Sequence, residues 1–387
     1  MHTVLTKFVV LFSCLKIYVI SQFYVAFAST VFVPAWTDMG ATQLLQSKLH
    51  PDTCKRNLIK DRCQIVGKLG FGASSTAWLA RDIDYRRYVT LKIFINSTSM
   101  GQQLDDELKM YKRMERASKP HPGRDAVRSL LDSFDVDGPE EKRRCLVHPP
   151  LWESVLTFLH RNPVPRPPSP ALAFVLQRLF LTLDYLHTEC QIIHADIKTN
   201  NIMFSITDDS VFIDSEEREL QAPCPRKDLD GRTIYVSQEL RMPKGWGPPA
   251  LCDFGSAMPG GIEHSEDIQP NIYRAPEIWD VFEAESLFTG HDTEFLTYRS
   301  RSHLAEIISL LGPLLRSLLA QGKVSNKFFS DEGDFCAAIP LQDRIPPEER
   351  ETTLEGQGKA RFLRQVRKML QWEPGKRSSA KELEGDE

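Results

Sequence analysis

No two of the eight cysteines stand as a C-x-x-C pair, so the chain lacks the thiolate spacing that structural zinc sites use. Scattered from Cys14 to Cys336, they read as small hydrophobes of a reduced compartment rather than as a disulfide framework. Positive charge is not in excess either. Against 52 Asp and Glu there are 48 Lys and Arg, a net charge of −4, which gives no electrostatic basis for direct nucleic-acid binding. No internal repeat is present, which sets aside solenoids and propellers. What remains is an ordinary globular composition, 41% hydrophobic and 26% charged, in 387 residues, enough for one large or two moderate domains.

A local absence marks the amino terminus. Ile17 to Trp36 is a run of 20 residues without Asp, Glu, Lys, Arg or His. It is long enough to cross a bilayer core of roughly 30 Å. Three readings stand: a single-pass anchor at 17–36, a signal cleaved near Ala26-Phe27-Ala28, or an unusual or mistranslated first exon. Basic residues flank the run on both sides (Lys7, Lys16; Lys48, Lys55, Arg56), so charge gives no orientation.

Residues 37–58 read as a linker, after which the texture turns to short strands. Cys63 to Leu69 and Thr76 to Arg81 flank a Gly-containing turn, the pattern of a hairpin. Val89, Leu91, Ile93 and Ile95 alternate with Thr90, Lys92 and Phe94, a strand of period two. A charged helix is expected over Leu104 to Met114, and another strand over Arg144 to Val147, closed by Pro149-Pro150. Arg161 to Pro170 holds five prolines and reads as a loop. Ser169, as a side-chain cap before Pro170, predicts a helix start. Leu172, Val175, Leu176, Leu179, Phe180 and Leu183 then recur at three- and four-residue steps. Asp208 to Gly247 is polar and Pro/Gly-punctuated, an insertion with little evident core; His303 to Leu311 and Ala360 to Leu370 return to helical patterning.

Three strings carry chemistry, in order: His194-Ala195-Asp196-Ile197-Lys198-Thr199-Asn200-Asn201, Asp253-Phe254-Gly255 and Ala275-Pro276-Glu277. Upstream lie Gly70-Phe71-Gly72-Ala73-Ser74-Ser75 in the hairpin turn and Val89-Thr90-Leu91-Lys92 on the strand. Together they resemble the signature set of eukaryotic protein kinases. That resemblance implies an α+β bilobal protein-kinase-like fold, with a small β-rich N-lobe (59–147), a hinge (148–152) and a larger, mainly helical C-lobe (153–380). Residues 1–58 precede it, and 381–387 form a tail. It also implies ATP and Mg²⁺ as cofactors. Gly70, Gly72 and Ser75, the last standing where the kinase pattern has a third glycine, would let phosphates approach the backbone. Lys92 would pair with the phosphates, held by a helix glutamate for which Glu107 is the best candidate beside Asp105 and Asp106. Asp196 would orient the substrate hydroxyl and take its proton, Lys198 would neutralise the moving phosphate, and Asn201 and Asp253 would hold the metal. His194 reads as a packing residue.

Longer strings resemble the SR-protein kinases of the CMGC group, Ser/Thr kinases acting on Arg/Ser-rich proteins. These are Ser75 to Asp82, Ile193 to Lys198, Asp253 to Ala257, Ile268 to Glu277, and His303-Leu304-Ala305 with Leu310-Leu311-Gly312. The resemblance implies a protein substrate and an intracellular site, cytoplasm or nucleus, with the anchor at 17–36 as the alternative. Trp372 to Ala380 resembles the last kinase motif, which implies a buried pair between Arg377 and Glu277. Ala195 replaces the arginine that in kinases meets a phosphorylated activation loop, so activity without such phosphorylation is expected.

The chain departs from the family in three places. The hinge His148-Pro149-Pro150 lacks the usual acidic residue, and the stretch from Asn201 to Asp253 is long. Glu277 runs directly into Ile278-Trp279-Asp280, and no D-x-W-x-x-G string occurs, so a helix is expected to be deleted after residue 277. The first reading is therefore a Ser/Thr protein kinase. The alternative is a catalytically impaired pseudokinase that binds nucleotide or a protein.

Overall fold

The structure is a computed structural model. It describes residues 58–386 apart from 73, 95–100, 118, 138–141, 162–166, 230–231, 263–286, 321–324, 342 and 344. The run 17–36, the A-P-E string, the expected deletion after 277 and Glu277 lie outside the described residues, while Arg377, expected to be buried, is exposed and donates to Gln371 O at 2.7 Å. No described helix is long and apolar enough to cross a membrane.

The first half of the described chain builds a six-stranded antiparallel sheet. Its strands are β1 (Leu58–Ile59), β2 (Cys63–Phe71), β3 (Ser75–Asp82), β4 (Arg87–Phe94), β5 (Asp132–Asp137) and β6 (Lys142–His148), in the order β1-β2-β3-β4-β6-β5. The expected period-two alternation is realised. Val89, Leu91 and Ile93 point into one core layer with Ile65, Trp78 and Val147, while Lys92 between them faces the other way. Helix α1 (Gly101–Glu115) crosses that opposite face, burying Leu108, Met110, Tyr111 and Met114. Cys63 and Cys145 sit wholly buried in the first layer, where burial pushes the Cys63 thiol up to about 11.

From His148 the chain leaves this sheet through Pro149-Pro150 and enters a three-stranded sheet, β12-β9-β7. Here β7 is Leu151–Ser154, β9 Ile202–Ile206 and β12 Trp246–Leu251. Helix α2 (Val155–Arg161) follows β7, and the long helix α3 (Ser169–Tyr185) buries Leu172, Val175, Leu176, Leu179 and Phe180, the expected stripe. The helix begins at Ser169 itself, with Pro168 at the cap position, so Ser169 is its first residue and not its cap. A π-turn over Leu186–Cys190 ends at Gln191, which adopts φ 52°.

Two short strands then bracket loops 194–201 and 252–257: β8 (Ile192–Ile193) pairs with β13 (Met258–Pro259). On the other side β9 pairs with β12, Ile202 opposite Leu251. Loops 194–201 and 252–257 are thereby held side by side between two antiparallel pairs. Further on, α5 (Ser300–Leu311) and α6 (Gly356–Met369) bury Ile308, Leu310, Phe362, Leu363 and Val366.

The insertion is more structured than its polarity predicts. Helix α4 (Ser210–Gln221) buries Val211 and Phe212, and a hairpin of β10 (Arg226–Leu229) and β11 (Arg232–Tyr235) follows. Its apolar residues are few but decisively placed: Cys224 and Tyr235 complete the core layer on the outer face of the six-stranded sheet, with Tyr235 edge-on to Trp78 at 5.6 Å. Phe212 meets Tyr88 at 5.3 Å, and the Tyr88 hydroxyl donates to Glu216. A hydropathy reading misses this because Ser215 and Glu219 share the buried face of the helix with Val211 and Phe212.

Candidate active site

Three elements converge on one amine. Lys92 on β4 places Nζ 2.8 Å from Glu107 Oε2 and 3.0 Å from Oε1, and 2.9 Å from Asp253 Oδ1. The choice among neighbouring acids is resolved here: Glu107 lies on the buried face of α1, whereas Asp106 pairs with Lys109 on the exposed face. Burial disfavours charge on Lys92, but the two carboxylates outweigh it and hold the ammonium form far up the pH scale. Burial likewise pushes the Asp253 carboxyl up, and the Lys92 charge and hydrogen bond overcome that push, leaving it at about 2. At neutral pH Asp253 is thus an ionised, half-exposed carboxylate (47%), while Glu107 is 1% exposed. Asp253 adopts φ 64°, a strained turn for a non-glycine residue.

The second cluster is local. Lys198 Nζ lies 2.8 Å and 3.0 Å from the two Asp196 carboxylate oxygens. Asn201 Nδ2 donates to Asp196 Oδ2 and to Asp196 O, both at 2.8 Å. With both amide hydrogens committed, the Asn201 carbonyl oxygen is left as an acceptor. Ala195, at φ 58°, turns the chain between His194 and Asp196.

His194 joins the clusters as a packing residue. Asp196 N–H donates to its Nδ1 at 3.3 Å, and its Nε2 stands 3.1 Å from Cys252 O. Burial lowers its pKa, so the ring is neutral, with one nitrogen accepting and the other donating. Its ring is 4.8 Å from Phe254, Phe254 is 5.4 Å from Tyr111, and Tyr111 is 5.2 Å from His148. This aromatic chain runs from loop 194–201 through α1 to the end of β6. Cys252 N–H, donating to Asn201 O at 2.8 Å, ties the Asp253 loop to the Asp196 loop.

Gly70 is the next-to-last residue of β2, and Gly72 follows the strand, its N–H donating to Ser75 O at 2.8 Å. A Cβ built at either glycine would meet nothing within 4 Å. Among the described residues no packing requires glycine at these two positions. Ser75 is buried at the start of β3, opposite Phe94.

Sequence reasoning missed three residues. Tyr111 stands one helical turn after Glu107, and that spacing was the available signal. Arg128 donates through Nε (3.3 Å) and Nη2 (3.0 Å) to Pro149 O, bracing the connection between the two sheets. Glu153 on β7 is buried against Arg161, 2.7 Å away; burial pushes its carboxyl up to about 7 although Arg161 opposes this.

Over residues 63–386 the chain matches the protein kinase domain family. It is 37% identical over 350 residues to a serine/threonine protein kinase of Aspergillus fumigatus, covering 84% of each chain. To a serine/threonine-protein kinase SRPK of Physarum polycephalum it is 27% identical, covering 89% of each. Mouse SRSF protein kinase 3 is 32% identical over 39% of this chain and 27% of its own length. A crystal structure of a kinase domain superposes with a TM-score of 0.64 at 18% identity, covering 86% of this chain and 96% of that one. The chain belongs to the protein kinase family. Among its relatives are SR-protein kinases, the group that its longer strings resemble.

Proposed function

We propose that this chain transfers the γ-phosphate of ATP to serine or threonine hydroxyls of Arg/Ser-rich proteins. The observation that carries the reading is the pairing of two clusters across adjoining loops: an ammonium fixed between Glu107 and Asp253, and a carboxylate fixed between Lys198 and Asn201. The first suits phosphate binding and the second suits a hydroxyl that must lose a proton. ATP, when bound, supplies the transferable phosphoryl group and Mg²⁺ the neutralising charge.

The donor set fits such a metal. The ionised Asp253 carboxylate and the Asn201 carbonyl oxygen are hard oxygen ligands, the type Mg²⁺ takes. Lys92, held by Glu107, would contact the phosphates. The Gly70–Ser75 turn would offer backbone N–H groups over them. Asp196 would accept a hydrogen bond from the substrate hydroxyl and take its proton as the oxygen attacks. Lys198 would offset charge on the moving group. The lobe boundaries 59–147, 148–152 and 153–380 are proposed on the same grounds, and an intracellular site follows from the need for ATP.

The test is transfer of labelled γ-phosphate from ATP–Mg²⁺ to an Arg/Ser-repeat peptide by the full chain, beside Asp196→Asn. Transfer that vanishes in the variant supports the reading. Equal transfer by both proteins would remove Asp196 from its role, and phosphorylation of other serine peptides alone would remove the Arg/Ser preference.

A further inference from the structure

The insertion that separates the two catalytic loops returns to grip the strand that enters the glycine turn. Both of its ends are anchored in the three-stranded sheet, in β9 and β12. Its middle reaches β2. Gln238 N–H donates to Lys68 O at 2.7 Å, two residues before Gly70. The Gln238 side chain donates to Glu219, whose carboxylate also accepts from Cys224 N–H at 3.0 Å, so Gln238 is fixed to the end of α4. It lies close enough to the strand that a Cβ at Gly67 would stand 3.1 Å from Gln238 Oε1.

Lys68 is held a second time. Its side chain is buried, an unusual place for a lysine, and its Nζ donates to Tyr235 O at 3.3 Å. The same ammonium lies 4.8 Å from the ring centroid of Phe71, the residue between the two glycines. Next in sequence, Glu239 pairs with Arg161 on α2 at 2.8 Å, so the segment also holds to the helix after β7.

We propose that Gln238 and Lys68 are positioning residues for the nucleotide. Residues 235–239 tie the glycine turn to the helical part of the molecule and thereby set its height over the phosphates. This rests on the reading above, in which Gly70 and Gly72 receive those phosphates. A turn so tethered loses little freedom when a ligand arrives, which favours binding more than the chemical step.

The experiment uses the full chain and three variants. Gln238→Pro removes the N–H that bonds Lys68, Gln238→Ala keeps it, and Lys68→Met removes the ammonium but keeps the stem. KM for ATP and kcat are measured at a fixed concentration of Arg/Ser-repeat peptide, with deuterium exchange of the 67–72 amides and thermal melting alongside. Expected are a KM raised ~10-fold in Gln238→Pro and Lys68→Met, kcat within about twofold of wild type, and faster exchange over 67–72. Gln238→Ala is expected to lie nearer the wild type.

If KM and exchange are unchanged in variants that still melt cooperatively, the proposal is overturned. An equal fall in kcat and kcat/KM would also overturn it, because the residues would then act on the chemical step. Should Gln238→Pro fail to fold, Lys68→Met decides alone. A wild-type chain that binds no ATP–Mg²⁺ would overturn the kinase reading itself. Wild-type binding with unaltered variants would overturn only the grip.

Discussion

The Lys92–Glu107–Asp253 cluster and the Asp196–Lys198–Asn201 cluster have similar ingredients and opposite construction. In the first, Lys92 reaches 15 residues to Glu107 and 161 residues to Asp253. In the second, every partner lies within five residues. The local cluster forms wherever loop 194–201 takes its turn. The dispersed one requires β4, α1 and the Asp253 loop to be in place together. The arrangement around Asp196 is thus set by local spacing, and that around Lys92 by the packing of the whole molecule.

Substitutions in each cluster test that contrast. The largest effect is expected from Asp196→Asn. Transfer should fall ~10³-fold or more, with ATP affinity and melting temperature nearly unchanged, as read by peptide kinetics and nucleotide titration. A variant that lost nucleotide binding as well would show that the local cluster is not local. Lys92→Met should follow, with a loss of ~10²–10³-fold in kcat/KM, and here stability should move too because Glu107 is left buried and uncompensated. Glu107→Gln should cost less, ~10–100-fold, since it acts through Lys92 and its amide can still accept from the ammonium. If Glu107→Gln proved as damaging as Lys92→Met, the two would have to be treated as one unit.

The smallest effect concerns pH. Glu153 has its folded value raised to about 7 from an ordinary 4.5. A raised carboxyl favours folding fully below about 4.5, and that contribution is lost as pH rises through about 7. Glu153→Gln, which cannot ionise, should therefore match the wild type at pH 4 and melt a few degrees higher at pH 8. Melting curves across that range check it. A variant less stable at pH 8 would mean that the Arg161 pair outweighs the burial penalty.

The distinction between the clusters also accounts for what could be read in advance. Asp196, Lys198 and Asn201 stand in one string because their geometry is made by one turn, and a string preserves spacing. Lys92 was found from the resemblance of Val89-Thr90-Leu91-Lys92 to the kinase strand motif, and Asp253 from Asp253-Phe254-Gly255. Glu107 was the best candidate by sequence, but Asp105 and Asp106 stood beside it, since which acid faces inward depends on how α1 is rotated against the sheet. The insertion was underestimated for a different reason. Its burial is borne by Val211, Phe212, Cys224, Tyr235 and Leu240, scattered among polar residues and too sparse to register as a pattern. The bond from Gln238 to Lys68 uses a backbone N–H and a backbone carbonyl, which leave no mark on residue identity. Likewise, the start of α3 at Ser169 depends on where the backbone first turns helical, and a Ser-Pro pair permits either register.

The outer core layer of the six-stranded sheet has a consequence for biosynthesis. Its strands are complete once His148 has been made, yet the face bearing Trp78, Val89 and Leu91 is closed by Cys224 and Tyr235. At ~5–20 residues per second, a ribosome needs several seconds more to deliver that cover. Through this interval the nascent sheet presents a bare apolar face, the kind of surface that chaperones hold and that other chains stick to. The chain therefore delivers part of the cover of an early-formed sheet late, and a product ending before residue 224 would lack what Cys224 and Tyr235 add to that layer.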